Sequence, residues 1–145
     1  MVCLGNICRS PLAEGILQSK ITSNNYMVDS AGTAGHHVGE LPDPRSIEVA
    51  RKYGIDITGQ RSRKFSKSDF EIFDVIYVMD QSNYNDVVSL AENTSQKEKV
   101  KMILNELSSA INKSVPDPYY GGNQGFENVY QMLNEACTII ASKLK

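Results

Sequence analysis

A cysteine and an arginine six positions apart, with glycine and asparagine between them and serine and proline after them, can make an anion site that contains its own nucleophile. The sequence holds this arrangement at Cys3-Leu4-Gly5-Asn6-Ile7-Cys8-Arg9-Ser10-Pro11. Each residue type has a physical task. The N–H groups of a turn feeding a helix N-terminus offer a phosphate several donors and the positive end of the helix dipole. Gly5 allows unusual dihedrals, and Asn6 tolerates the left-handed region. Arg9 supplies a planar fork for two phosphoryl oxygens, and the same positive field favours Cys3 as a thiolate. Ser10 can donate its hydroxyl to that sulfur, favouring it as a leaving group when the intermediate is hydrolysed. The chemistry expected is attack by Cys3 on a phosphate monoester, the phosphate being cradled by Leu4 to Ser10 with Arg9 as clamp.

Cleaving an aryl phosphate also requires protonating the departing oxygen, and the same group can then deprotonate water. Two Pro-Asp-Pro segments offer a carboxylate, at Asp43 and at Asp117. Asp43 precedes a helical pattern and reads equally well as a helix N-cap. Asp117 lies in a long loop, where a turn is its plain structural role. The residues alone leave both open. Cys3, Cys8, His36 and His37 could be counted as zinc ligands, but Arg9 would repel a cation and adjacent histidines are awkward donors to one metal. No metal or other cofactor is expected.

The elements that must position these groups follow from periodicity. Leu12, Ala13, Ile16, Leu17 and Ile21 recur at helical spacing, with Ser10 as N-cap and Pro11 at the favoured first position. Tyr26 to Ser30 reads as a strand running into a loop at Ala31-Gly32. Asp43-Pro44 opens a helix through Tyr53 that stops at Gly54. Ser66 to Asp69 resembles a capping box before a short helix through Phe73. Val75 to Met79 suits a strand buried on both faces. Asp80 to Leu90 is helical, Ala91 to Gln96 a polar loop, Val100 to Leu104 a weaker strand, and Lys97-Glu98-Lys99 a solvated run. After a long loop from Asn105 to Gly125, the apolar stripe from Phe126 to Leu144 marks a final helix. Alternating strands and helices point to a doubly wound parallel sheet, with ligands beyond the carboxyl ends of the strands. The first loop falls there.

Composition agrees with one globular domain: 145 residues, 41% hydrophobic and 22% charged. A net charge of −2 gives no general attraction to nucleic acid. No apolar run approaches the roughly eighteen residues needed to cross a bilayer, and the start does not read as a targeting segment. Three cysteines suit a reducing compartment, with the cytoplasm expected, and Cys137 reads as a buried small apolar residue. The spacing of Cys3 and Cys8 in a tight loop suggests a reversible disulfide that would protect the nucleophile from over-oxidation.

The stretch from Val2 to Pro11 resembles the signature of the low-molecular-weight protein tyrosine phosphatases. Asp29-Ser30-Ala31-Gly32-Thr33, Pro42-Asp43-Pro44-Arg45, Asp74 with the strand after it, Met79-Asp80-Gln81-Ser82-Asn83 and Asp117-Pro118-Tyr119-Tyr120 resemble further landmarks in the same order. The resemblance spans nearly the whole chain. It implies a four-stranded parallel sheet of flavodoxin-like winding with helices on both faces, a single phosphatase domain over residues 1–145, and two-step hydrolysis of protein phosphotyrosine through a phosphocysteine without a metal. It favours Asp117 over Asp43 as the acid. Tyr119 and Tyr120 could then wall a phosphorylated ring, since this loop borders the cleft in similar proteins. His36 stands where similar proteins often carry a larger aromatic at the opposite rim. Ile7 leans towards phosphotyrosine, because members resembling arginine phosphatases carry a smaller threonine there. Members resembling arsenate reductases need cysteines between Cys8 and Cys137, and the chain has none. Expected partners are phosphotyrosine proteins, and phosphate, vanadate or other oxyanions in the loop, with neither nucleic acid nor membrane.

Two departures stand out. Similar proteins commonly carry a histidine near Gln60 that supports the loop asparagine. They also carry several apolar residues before the Val-Cys pair, whereas Met1 and Val2 alone precede Cys3 here, so the first strand is expected to be short or to draw on residues ahead of it.

Overall fold

The computed structural model describes residues 1–107, 112–119 and 121–144. Four parallel strands, β1 (Val2–Cys3), β2 (Ala31–Gly32), β3 (Ile76–Val78) and β4 (Val100–Met102), lie in the order β2-β1-β3-β4. The pleat sorts their side chains. Val2, Ala31, Ile76, Val78, Val100 and Met102 pack on one face with Phe65, Phe70 and Val87. Cys3 and Tyr77 face the other side, where the larger part of the core sits. There α1 (Arg9–Lys20) contributes Leu12, Ala13, Ile16 and Leu17, α2 (Pro44–Lys52) contributes Val49 and Ala50, and α6 (Gly122–Lys143) contributes Phe126, Val129, Leu133, Ala136, Cys137 and Ile140. The opposite face is covered by α3 (Asp69–Ile72) and α4 (Gln81–Ser89). Emptying one fully buried position, as in Leu12→Ala, costs about 2–5 kcal/mol.

β1 runs straight into the loop at Cys3, between its two neighbours β2 and β3. Sequence order reverses at this point, so a crevice opens at the carboxyl edge of the sheet beside Cys3. Gly32 lets β2 come close: a Cβ there would stand 2.8 Å from the Leu4 carbonyl oxygen and 3.1 Å from the Asn6 nitrogen. The Thr33 and Ala34 N–H groups donate to the Cys3 and Leu4 carbonyls, each at 2.9 Å. The loop is thereby stitched to β2 as it leaves the sheet.

Several elements differ from expectation, each for a tertiary or local reason. β2 lies at Ala31–Gly32 and not at 26–30, because β1 pairs only from Val2, leaving Tyr26 and Met27 exposed with no strand residue opposite them. α1 begins at Arg9 with Cys8 in the cap position, since the Ser10 side chain is turned to the loop and does not cap. Ser66 to Asp69 makes half of a capping box, with the Ser66 N–H donating to Asp69 Oδ2 at 2.9 Å and no side-chain cap from Ser68. A short helix, α5 (Thr94–Lys97), capped by Asn93, interrupts the expected polar loop. β4 ends at Met102 in a 3-10 turn over Ile103–Glu106. Lys99 leaves the solvated run to bond the Phe70 and Phe73 carbonyls at the end of α3. Asp43 does cap α2, and Cys137 is fully buried. Among the described residues, no helix is long and apolar enough to cross a membrane.

Candidate active site

Cys3 is 3% exposed at the end of β1, and its sulfur is already oriented. The Asn6 N–H donates to Sγ at 3.3 Å, and Ser10 Oγ lies 3.0 Å from it. The loop achieves its reversal at Asn6, whose φ of 55° is left-handed. Gly5 does not take positive φ; its value lies in space, since a Cβ there would meet the His37 ring at 3.2 Å. Asn6 is held from every side. Its Nδ2 donates to Ser10 Oγ (2.8 Å) and Ser30 Oγ (3.0 Å), and its Oδ1 accepts the Arg63 N–H at 3.0 Å. Ser30 in turn donates to Glu14 Oε1 at 2.6 Å. Burial, the largest influence on Glu14, raises its carboxyl above the ordinary value despite the Ser30 bond.

Gln60 takes no part in this support. Its Nε2 donates to the Pro11 carbonyl at 3.1 Å, and its Oε1 is buried without a hydrogen-bond partner among the described residues. Ser30 and the Arg63 backbone brace Asn6 instead.

Arg9 is a buried cation and is paired accordingly. Its Nη1 donates to Asp80 Oδ2 at 2.7 Å and to the Val115 carbonyl at 2.9 Å. Those bonds aim the guanidinium from behind and leave the edge formed by Nε and Nη2 for two oxygens of an anion. Asp80 can do this because its other oxygen caps α4 through the Asn83 N–H at 2.8 Å, fixing the carboxylate. The Val115 N–H donates to the Met79 carbonyl at 2.8 Å, so the long loop is tied down there. Two residues on, Asp117 is 45% exposed with Oδ2 at 3.9 Å from Arg9 Nη2.

Asp43 sits elsewhere. It caps α2 and is 8% exposed, and its carboxylate is taken up by Arg45 through the N–H (2.8 Å), Nε (3.1 Å) and Nη2 (3.1 Å). Burial pushes its carboxyl up, and the Arg45 bonds outweigh that and leave it below the ordinary value. Cys8 is buried beneath the loop, and burial pushes its thiol up to about 12. All three cysteines are free.

Of the remaining residues expected at the site, Leu4 is exposed at the loop, Ile7 packs partly against the core, and Tyr119 is exposed with its ring beside Arg45. Tyr120 lies outside the described residues. His36 is exposed, and the ring against Gly5 belongs to His37, which bonds Glu40 Oε2 at 2.8 Å.

The family model described as low molecular weight phosphotyrosine protein phosphatase matches residues 1–145. The chain belongs to that family. A low molecular weight phosphotyrosine protein phosphatase of Schizosaccharomyces pombe is 42% identical, over 91% of this chain and 86% of its own length. Among solved structures, the protein tyrosine phosphatase of Entamoeba histolytica superposes with a TM-score of 0.91 at 37% identity, covering 99% of this chain and 93% of that one. The tyrosine phosphatase Wzb of Escherichia coli K30, solved with sulphate, gives a TM-score of 0.87 at 33% identity over 99% and 95% of the two chains.

Within this family member, the sequence missed the parts that support the site. Ser30, Arg45 and Asp80 lie in stretches that resemble family landmarks, but their residue types do not tell which group each supports, and Glu14 stands in no such stretch. Asp80 in front of Asn83 reads as a cap and is one. Its second oxygen is what the sequence does not advertise.

Proposed function

We propose that this chain, acting as one phosphatase domain over residues 1–145, hydrolyses protein phosphotyrosine and small aryl phosphates in two steps. The phosphate sits among the N–H groups from Leu4 to Arg9, gripped by the free edge of Arg9. The Cys3 thiolate attacks phosphorus in line, the P–O bond to the phenol breaks, and Asp117 gives the departing oxygen its proton. The same carboxylate then takes a proton from water, which attacks the phosphocysteine and releases phosphate. Ser10 stabilises the Cys3 sulfur as it departs.

The observation that carries this reading is the convergence on one sulfur of Ser10 Oγ at 3.0 Å and the Asn6 N–H at 3.3 Å, in a loop whose Arg9 guanidinium has Asp117 3.9 Å away. Both groups can donate to the sulfur, which suits its attack on a phosphate and its later departure. Tyr119, exposed two residues after Asp117, suits an aromatic ring, and Ile7 supports phosphotyrosine over phosphoarginine. Three free cysteines suit a reducing compartment such as the cytoplasm.

The decisive experiment is rapid-quench trapping with an aryl phosphate. Asp117→Ala accumulates phosphate on Cys3 with a good leaving group, and vanadate blocks turnover of the unaltered protein. Phosphotyrosine binding without turnover would reduce the protein to a phosphate-binding module.

A further inference from the structure

Asp43 and Arg45 form the capped start of α2, yet their contacts reach beyond that helix in two directions. The Asp43 N–H donates to the Ile7 carbonyl at 2.8 Å, inside the phosphate loop. Arg45 bonds both Asp43 oxygens through Nε and Nη2, which leaves Nη1 to donate to the Tyr119 carbonyl at 2.9 Å. Its guanidinium stands 4.6 Å from the centre of the Phe126 ring and 5.2 Å from that of Tyr119. Phe126 is 1% exposed and belongs to the core. All three guanidinium nitrogens are thus engaged, and the planar fork has one orientation. A helix cap needs only the Asp43 carboxylate and the Arg45 N–H. The guanidinium serves something else.

It serves the segment that carries Asp117. Val115 pins one end, donating to Met79 and accepting from Arg9. Tyr119 is pinned at the other by Arg45, and the Tyr119 N–H donates to Asp117 Oδ1 at 3.0 Å. The carboxylate is exposed, so its place beside Arg9 follows that of the Tyr119 backbone.

We propose that Arg45 is a positioning residue for proton transfer, joining the phosphate loop through Asp43 to the Asp117 segment through Tyr119. The proposal rests on the reading of Asp117 as the acid. Arg45 does not touch the substrate; it fixes the distance between the carboxylate and the oxygen that leaves.

The test measures kcat/KM, which reports transfer to Cys3 and release of the phenol but not the later hydrolysis, for a series of aryl phosphates whose phenols range from acidic to weakly acidic, with Arg45→Ala, Arg45→Lys, Asp117→Asn and the Arg45→Ala/Asp117→Asn double variant. A departing phenolate that needs no proton is insensitive to the acid. Arg45→Ala therefore loses about threefold or less with 4-nitrophenyl phosphate and about thirtyfold or more with phenyl phosphate. The double variant loses no more than Asp117→Asn alone, and vanadate inhibition stays within about threefold of the unaltered protein. Arg45→Lys keeps the charge but cannot span three acceptors, and falls between.

An equal loss across the series, or losses that multiply in the double variant, overturns the proposal. Hydrogen exchange separates it from the reading of the acid. Faster exchange over residues 116–119 in Arg45→Ala, with the loop at 3–10 unchanged, upholds the tether even if Asp117→Asn shows no dependence on the leaving group. Unchanged exchange there overturns the tether.

Discussion

The tripeptide Pro-Asp-Pro occurs twice, at 42–44 and 116–118, and the two copies begin alike. In each, the aspartate accepts the N–H of the residue two positions on, at 2.8 Å from Arg45 and 3.0 Å from Tyr119. They part at that next residue. Arg45 folds its guanidinium back onto Asp43, and α2 runs on directly from Pro44. Tyr119 carries no guanidinium, and α6 begins only at Gly122. One aspartate ends 8% exposed as a cap, while the other stays 45% exposed beside Arg9. The turn chemistry is shared, and the fate of each carboxylate is set by which cation reaches it and whether a helix follows.

The largest effect expected from this contrast is on turnover. Asp117→Asn lowers kcat for a phosphotyrosine peptide by about 10²–10⁴-fold, with an unfolding midpoint in urea that barely moves. Normal turnover in that variant would remove the distinction between the two segments.

Tyr119→Arg gives the second segment the sequence of the first, Pro-Asp-Pro-Arg. A guanidinium two residues on can fold back onto the carboxylate as that of Arg45 does onto Asp43, so kcat for phenyl phosphate falls about tenfold. Unchanged turnover would mean that the local cation is not what separates the pair.

Stability reverses the ranking. Asp43→Ala removes the cap and the partner of Arg45 and costs about 1–2 kcal/mol in denaturant unfolding. Asp117→Ala costs about 0.5 kcal/mol or less. Equal losses would show that the second aspartate is as structural as the first.

The smallest effect is the pH dependence of that difference. The Asp43 carboxyl titrates below its ordinary value when folded. Its contribution is therefore present above the unfolded value, near 3.9, and is lost as pH falls through the folded one. The stability gap between the protein and Asp43→Ala should narrow below about pH 4. A gap that widens in acid would mean that burial, not Arg45, governs the group.

How much was legible depended on whether a signal was local. The final helix could be read because its stripe from Phe126 to Ile140 repeats over many turns, and the buried strand at Ile76–Val78 because the apolar run is continuous. Ser10 was misplaced as a cap, since a serine before a proline fits both an N-cap and a donor to Cys3. Only the fold shows its hydroxyl 3.0 Å from the sulfur. The strand expected at 26–30 failed because strand character is completed by a neighbour, and the neighbour pairs at Ala31. His37, not His36, lies against Gly5, a choice between adjacent exposed-looking residues that spacing cannot make.

The loop from Cys3 to Ser10 was legible in the sequence itself: the proposed nucleophile and clamp and the turn residues are contiguous, so the chemistry proposed for them follows from their types and order. The supports of that loop were decided by tertiary structure. Arg9 is held by Asp80 and by the Val115 carbonyl, 71 and 106 positions away, and Arg45 reaches Tyr119 across 74. Contacts at such separations leave no periodic trace in a single chain, because each partner satisfies a local rule of its own, as a cap or as a turn. The chain closing on itself turns two equal aspartates into one that holds a helix and one that stands exposed beside Arg9.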